Sequence, residues 1–63
     1  MADDDADLIQ RLCTRAGMLM EDASVIAIRM GSEPNRAAAL AELGRDVGTM
    51  QALVLAAEAL DRR

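Results

Sequence analysis

The chain has 63 residues, a formal net charge of −4, one cysteine, and no histidine, phenylalanine, tryptophan or tyrosine. Without histidine it lacks the most common general acid and base, and without aromatic rings it lacks the platforms on which single-stranded nucleic acids stack. A single thiol excludes an internal disulfide and, with no histidine, leaves no ligand set of the kind that holds structural zinc. We therefore expect no enzymatic activity, no cofactor and no metal.

The N-terminal segment, Met1 to about Asp4, is acidic, and Asp4 or Asp5 is predicted to cap the first helix. A secretory signal would be basic and would precede an apolar stretch, so the segment favours a cytoplasmic protein. The longest uncharged run, Val47 to Ala57, is too short to span a bilayer. All seven basic residues are arginine and alanine is abundant, a bias typical of proteins from GC-rich bacterial genomes, so we expect a bacterial protein.

Apolar residues recur at steps of three and four in the first half of the chain, which predicts an amphipathic helix from about residue 5 to 30. This stripe consists of Ile9, Leu12, Ala16, Leu19, Ala23, Ile26 and Met30. Small and large side chains alternate along it, so a neighbouring helix can approach closely. A flank of small or flexible residues leaves room for a second neighbour, and it consists of Cys13, Gly17, Met20, Ser24 and Ala27.

The segment Gly31 to Asn35 combines a helix stop signal with a start signal, which predicts a turn over residues 31–34. Ser32 is the expected N-cap and Pro34 suits the first turn of a second helix, from about residue 34 to 61. The second helix carries its own stripe of larger residues, Leu40, Leu43, Val47, Met50, Val54 and Ala57. Because the connection is short, we expect one all-α domain, an antiparallel helical hairpin.

The second helix also carries a stripe of small residues beside the first one: Ala37, Ala41, Gly44, Gly48 and Ala52. Each glycine costs about 1 kcal/mol relative to alanine in a helix interior, so the pair requires a compensating role. Close packing against another helix is the preferred interpretation, and a bend near Val47 is the alternative. We expect this stripe to be a helix-packing or oligomer interface.

A hairpin of this length has only one line of contact between its helices, so it is only marginally stable as a monomer. Because neither a disulfide nor a metal supplies the missing stability, we expect the chain to form a homodimer. Two hairpins would make an antiparallel four-helix bundle with helices crossing at about 20°. An obligate complex with a different protein is the alternative.

Three apolar residues of the first helix lie off its stripe and are candidates for contact with another protein: Met18, Val25 and Ile28. Cys13 lies on the apolar flank, where cysteine usually behaves as a small hydrophobe. The expected function is a non-enzymatic protein–protein interaction module, a small regulator or adaptor.

Three arginines of the first helix gather on its opposite edge: Arg11, Arg15 and Arg29. A symmetric dimer would double this face, which makes it a candidate for contact with phosphates. The net negative charge of the chain opposes binding to a polyanion. A nucleic-acid-binding regulator is therefore the alternative function, and we expect no membrane partner.

Overall fold

A computed structural model of the protein shows a hairpin of two helices joined by a short connection. Helix α1 spans Ala2–Arg29, a 3₁₀ turn spans Met30–Ser32, and helix α2 spans Arg36–Asp61. The part of the chain that the structure describes contains helices and no strand, which confirms the prediction of an all-α hairpin. Neither helix has a stretch that is both long and apolar enough to cross a membrane, over the same residues.

The structure describes residues 2–63, with side chains from Asp4 onward. Met1 and the Asp3 side chain, which belong to the predicted acidic segment, lie outside the described residues. Because α1 is already helical at Ala2, Asp4 and Asp5 lie inside its first turns, and the prediction that either is the N-cap is wrong. Carboxylates at this end are favourable in both cases, since they face the positive end of the helix dipole.

The connection between the helices is held by hydrogen bonds of its own residues. Asn35 is the N-cap of α2, and its Oδ1 accepts a hydrogen bond from the Ala38 amide at 3.1 Å. Ser32, the predicted cap, instead donates its hydroxyl to the Arg29 carbonyl at 3.2 Å. Pro34 explains the difference, because it forces Glu33 before it into an extended conformation, with φ −75° and ψ 122°.

The contact line between the helices, here called the seam, follows the predicted stripe along the whole of α1. Every residue of that stripe from Ile9 to Met30 is buried or half-buried. The most buried are Ala16, Leu19 and Ala23, each with 9% or less of its surface exposed. The prediction for α1 is confirmed.

The seam on α2 differs from the predicted stripe. Leu43, Met50 and Ala57 face α1 as predicted, but the other three predicted residues are exposed: Leu40 at 56%, Val47 at 51% and Val54 at 45%. Their places are taken by residues one position earlier, Ala39, Asp46 and Leu53. Apolar residues lie around most of α2, so hydropathy alone does not determine which side of the helix faces its neighbour.

The hairpin leaves much of its surface exposed for its size. Its accessible surface is 4833 Å², whereas a compact protein of this mass exposes about 3900 Å². The radius of gyration is 14.6 Å, against about 11 Å for a compact chain of equal length. Among the described side chains none has less than 2% of its surface exposed. The core is a single layer of contact without a fully enclosed interior.

Candidate interaction surface

The two broad sides of the hairpin differ in chemistry. The helices run in opposite directions, so side chains displaced in the same rotational sense from the seam lie on the same side. One side, here called the apolar face, holds the residues that directly follow certain seam residues. On α1 these seam residues are Leu12, Leu19 and Ile26, and on α2 they are Ala39, Asp46 and Leu53. The other side, here called the polar face, holds the residues that directly precede the remaining seam residues. These are Ile9, Ala16, Ala23 and Met30 in the first half of the chain and Leu43, Met50 and Ala57 on α2.

The apolar face carries no charged side chain between its ends. It consists of Cys13, Met20 and Ala27 from α1 and Leu40, Val47 and Val54 from α2. All six are exposed, and Met20 has 59% of its surface in solvent. Soluble proteins seldom leave large apolar patches uncovered, so this face is a candidate for a contact surface.

The polar face is typical of a surface in water. It consists of Leu8, Arg15, Asp22 and Arg29 from α1 and Glu42, Thr49 and Ala56 from α2, all of them exposed. Thr49 donates its hydroxyl to the Arg45 carbonyl at 3.0 Å, so this side chain is satisfied without any partner. The two faces of the hairpin therefore differ in whether they carry charged side chains.

The predicted partner surface lies elsewhere, on the side of α1 that points away from α2. Met18, Val25 and Ile28 are 54%, 47% and 80% exposed. Met18 and Val25 are seven residues apart and therefore lie on one line along the helix. The structure thus leaves these three residues available, and their role in binding stays a prediction.

The stripe of small residues lies on the side of α2 that points away from α1. All five of its members are exposed: Ala37, Ala41, Gly44, Gly48 and Ala52. A methyl group added at Gly44 or Gly48 would meet no atom within 4 Å apart from the neighbouring backbone of its own helix. Close packing against α1 is therefore not what the glycines serve, and their role as an oligomer interface stays a prediction.

The candidate anion-contact arginines share one edge of α1 but are spread along it. Arg11 and Arg29 are eighteen residues apart, which is about 27 Å along the helix. Arg11 forms an exposed ion pair with Asp7, with 3.0 Å between the guanidinium and carboxylate atoms. Asp22 lies on the same edge between Arg15 and Arg29. The arrangement alternates charge instead of concentrating positive charge.

Two features escaped prediction from the sequence. One is the apolar face itself, because three of its residues were assigned to the seam. The other is Asp46, a half-buried carboxylate in the seam, where the stripe of larger residues placed Val47. The signal for both was a second heptad register on α2, which shares Leu43, Met50 and Ala57 with the predicted stripe but has Ala39, Asp46 and Leu53 at the other positions.

The surface offers contact area and little chemistry. The only thiol, Cys13, is exposed on the apolar face. From Asp4 onward, the described side chains form no group of three or more residues able to hold a metal ion. Comparisons with protein-family models, with curated proteins and with solved structures find no match to this chain.

Proposed function

We propose that this protein is a non-enzymatic interaction module of the cytoplasm that acts as a homo-oligomer and binds another protein as a regulator or adaptor. The observation that carries the proposal is the exposed apolar face, which lies opposite a charged one. In a four-helix bundle made of two hairpins, each hairpin buries an apolar face in the core and exposes a polar face to solvent. The composition supports a non-enzymatic role, since the chain has no histidine and a single thiol.

The area available also supports association. The hairpin exposes roughly 900 Å² more than a compact protein of 6.7 kDa. A standard protein–protein interface buries about 800 Å² on each partner. The surplus surface of the whole hairpin is thus comparable to the area that one side of a standard interface buries.

A second surface remains for a different protein. If the apolar face is covered in the oligomer, the outer side of α1 with Met18, Val25 and Ile28 stays exposed. Methionine adapts to differently shaped partners because its side chain is unbranched and polarizable. We infer that the oligomer presents one such patch on each of its chains.

The proposal is tested by two matched substitutions, Val47→Asp and Val25→Asp. Val47 lies on the apolar face and Val25 on the outer side of α1, with nearly equal exposed fractions of 51% and 47%. We expect Val47→Asp to weaken self-association by about a hundredfold or more, because it places a carboxylate in a desolvated contact. Val25→Asp should leave self-association unchanged.

Sedimentation equilibrium measures both effects, with circular dichroism to verify that each variant is helical. Equal loss of association in both variants would contradict the assignment of the interface to the apolar face. Capture experiments with wild-type protein and Val25→Asp then test the second surface. A stoichiometric partner that binds both proteins equally would show that Val25 is not part of the binding site.

A further inference from the structure

The exposed stripe of α2 is self-complementary about Val47 when it is paired with an antiparallel copy of itself. Leu40 and Val54 lie seven residues to either side of Val47, at the same distance along the helix. Arg36 and Glu58 lie eleven residues to either side, and both are exposed. If a second copy of α2 is laid antiparallel across Val47, each Leu40 meets a valine, and each Arg36, at the edge of the stripe, lies at the level of a glutamate.

The two charges are placed unfavourably for α2 by itself. Arg36 is the first residue of the helix, where the dipole is positive, and Glu58 lies in its last turn, where the dipole is negative. Within the described part of the chain neither side chain has an ion-pair partner. A contact with a second copy supplies what the hairpin lacks, an opposite charge for each of them.

The apolar stripe of α1 shares the same centre. Cys13 and Ala27 lie seven residues to either side of Met20. Asp5 and Leu60 line one cleft at the open end of the hairpin. Met20 is fifteen residues from Asp5 and Val47 is thirteen from Leu60, so both lie about 20 Å from that end. One axis at the level of Met20 and Val47 therefore serves both helices.

We propose, building on the proposed function, that the apolar face is covered by a second copy of this chain related by this axis. The axis crosses both helices at right angles and lies between the two hairpins. Helix α2 packs antiparallel on the partner's α2, and α1 packs antiparallel on the partner's α1. The two connections lie at opposite ends of the bundle, and the interface is the same patch on both chains, as a two-fold dimer requires.

This arrangement makes a distinct prediction about distances. Val47 and the partner's Val47 face each other across the axis, within the Cα separation of about 4.4–6.8 Å that a disulfide needs. Val54 faces the partner's Leu40 and lies fourteen residues, about 21 Å, from the partner's Val54. If the axis instead ran parallel to the helices, Val47 would face the partner's Met20.

Cysteine cross-linking tests the arrangement. Val47→Cys and the matched control Val54→Cys are each made in a Cys13→Ser background, and the folded proteins are oxidised with diamide. We expect rapid disulfide formation in the Val47→Cys variant and none in Val54→Cys. Cross-linking of Val54→Cys, or its absence in Val47→Cys, would overturn the arrangement.

Charge exchange supplies an independent test. Arg36→Glu places two like charges together at each end of the α2 contact, and we expect the dimer to dissociate about tenfold more easily. The double variant Arg36→Glu with Glu58→Arg should return to within about threefold of the wild type. Both substitutions agree with the helix dipole, so a loss of association in the single variant is not a loss of helix.

The mass of the wild-type protein in solution distinguishes a failure of self-association from a failure of this particular arrangement. A helical monomer in sedimentation would contradict self-association and with it the proposed function. A dimer without the Val47→Cys cross-link, or without rescue by the charge exchange, would overturn only this arrangement of the two copies.

Discussion

Asp46 and Val47 are adjacent in the chain, and the seam takes the carboxylate while the valine is exposed. Asp46 is half-buried against α1, whereas Val47 has 51% of its surface in solvent. A hairpin selected for its own stability would place the valine inside. The arrangement is explained if Val47 is needed on the other side, at a contact with a second chain.

The first prediction concerns Asp46. Replacing it with alanine should raise the free energy of unfolding by about 1 kcal/mol, since alanine is the better helix former and leaves no polar side chain at this half-buried position. Chemical denaturation at a fixed protein concentration measures the change. Asp22→Ala, on the polar face, is the control and should shift stability by less. A loss of stability in Asp46→Ala would mean that the carboxylate has a favourable contact in the seam.

The second prediction concerns the helix cap. Asn35→Ala should destabilise the protein by about 1 kcal/mol, because it removes the acceptor for the Ala38 amide at the start of α2. Ser32→Ala should cost less, because the hydroxyl of Ser32 only supplements the end of α1. Thermal unfolding followed by circular dichroism compares the two. A larger effect at Ser32 would place the start of α2 earlier than Asn35.

The third prediction concerns the small-residue stripe. Gly44→Ala and Gly48→Ala should each raise stability by up to about 1 kcal/mol, since alanine is the better helix former and the added methyl group meets no atom within 4 Å apart from the neighbouring backbone of its own helix. Neither substitution should alter the mass of the oligomer. If either one dissociates the oligomer, a helix of another chain packs closely on this stripe, as the glycine spacing alone suggested.

The fourth prediction concerns the arginine edge. We expect no shift of RNA or DNA in gels run at low salt, because Asp7 and Asp22 offset the positive charge of α1 and each chain carries a net charge of −4. The contrary result would be a shift that weakens steeply with salt and disappears in an Arg15→Ala, Arg29→Ala variant.

The sequence predicts α1 well because its apolar residues lie on one side, with Ala16 and Ala23 at the centre of the seam. It predicts α2 less well because two adjacent sets of residues can face α1, one with Leu40 and Val47 and the other with Ala39 and Asp46. Only the packing of the two helices determines which set is buried. The sequence places the N-cap of α2 at Ser32, whereas the structure has it at Asn35. The difference arises because Pro34 holds Glu33 in an extended conformation, so α2 cannot begin directly after Ser32. The apolar face depends on the orientation of α2 about its own axis relative to α1. The hydropathy pattern of the sequence does not determine this orientation.

The most direct test of the account is the mass of the wild-type protein in solution, measured by light scattering over a range of concentrations. Refractive index must report concentration, because the chain has no tryptophan or tyrosine. We expect a helical particle of twice the 6.7 kDa mass of one chain. A helical particle that keeps the mass of a single chain at every concentration would contradict it.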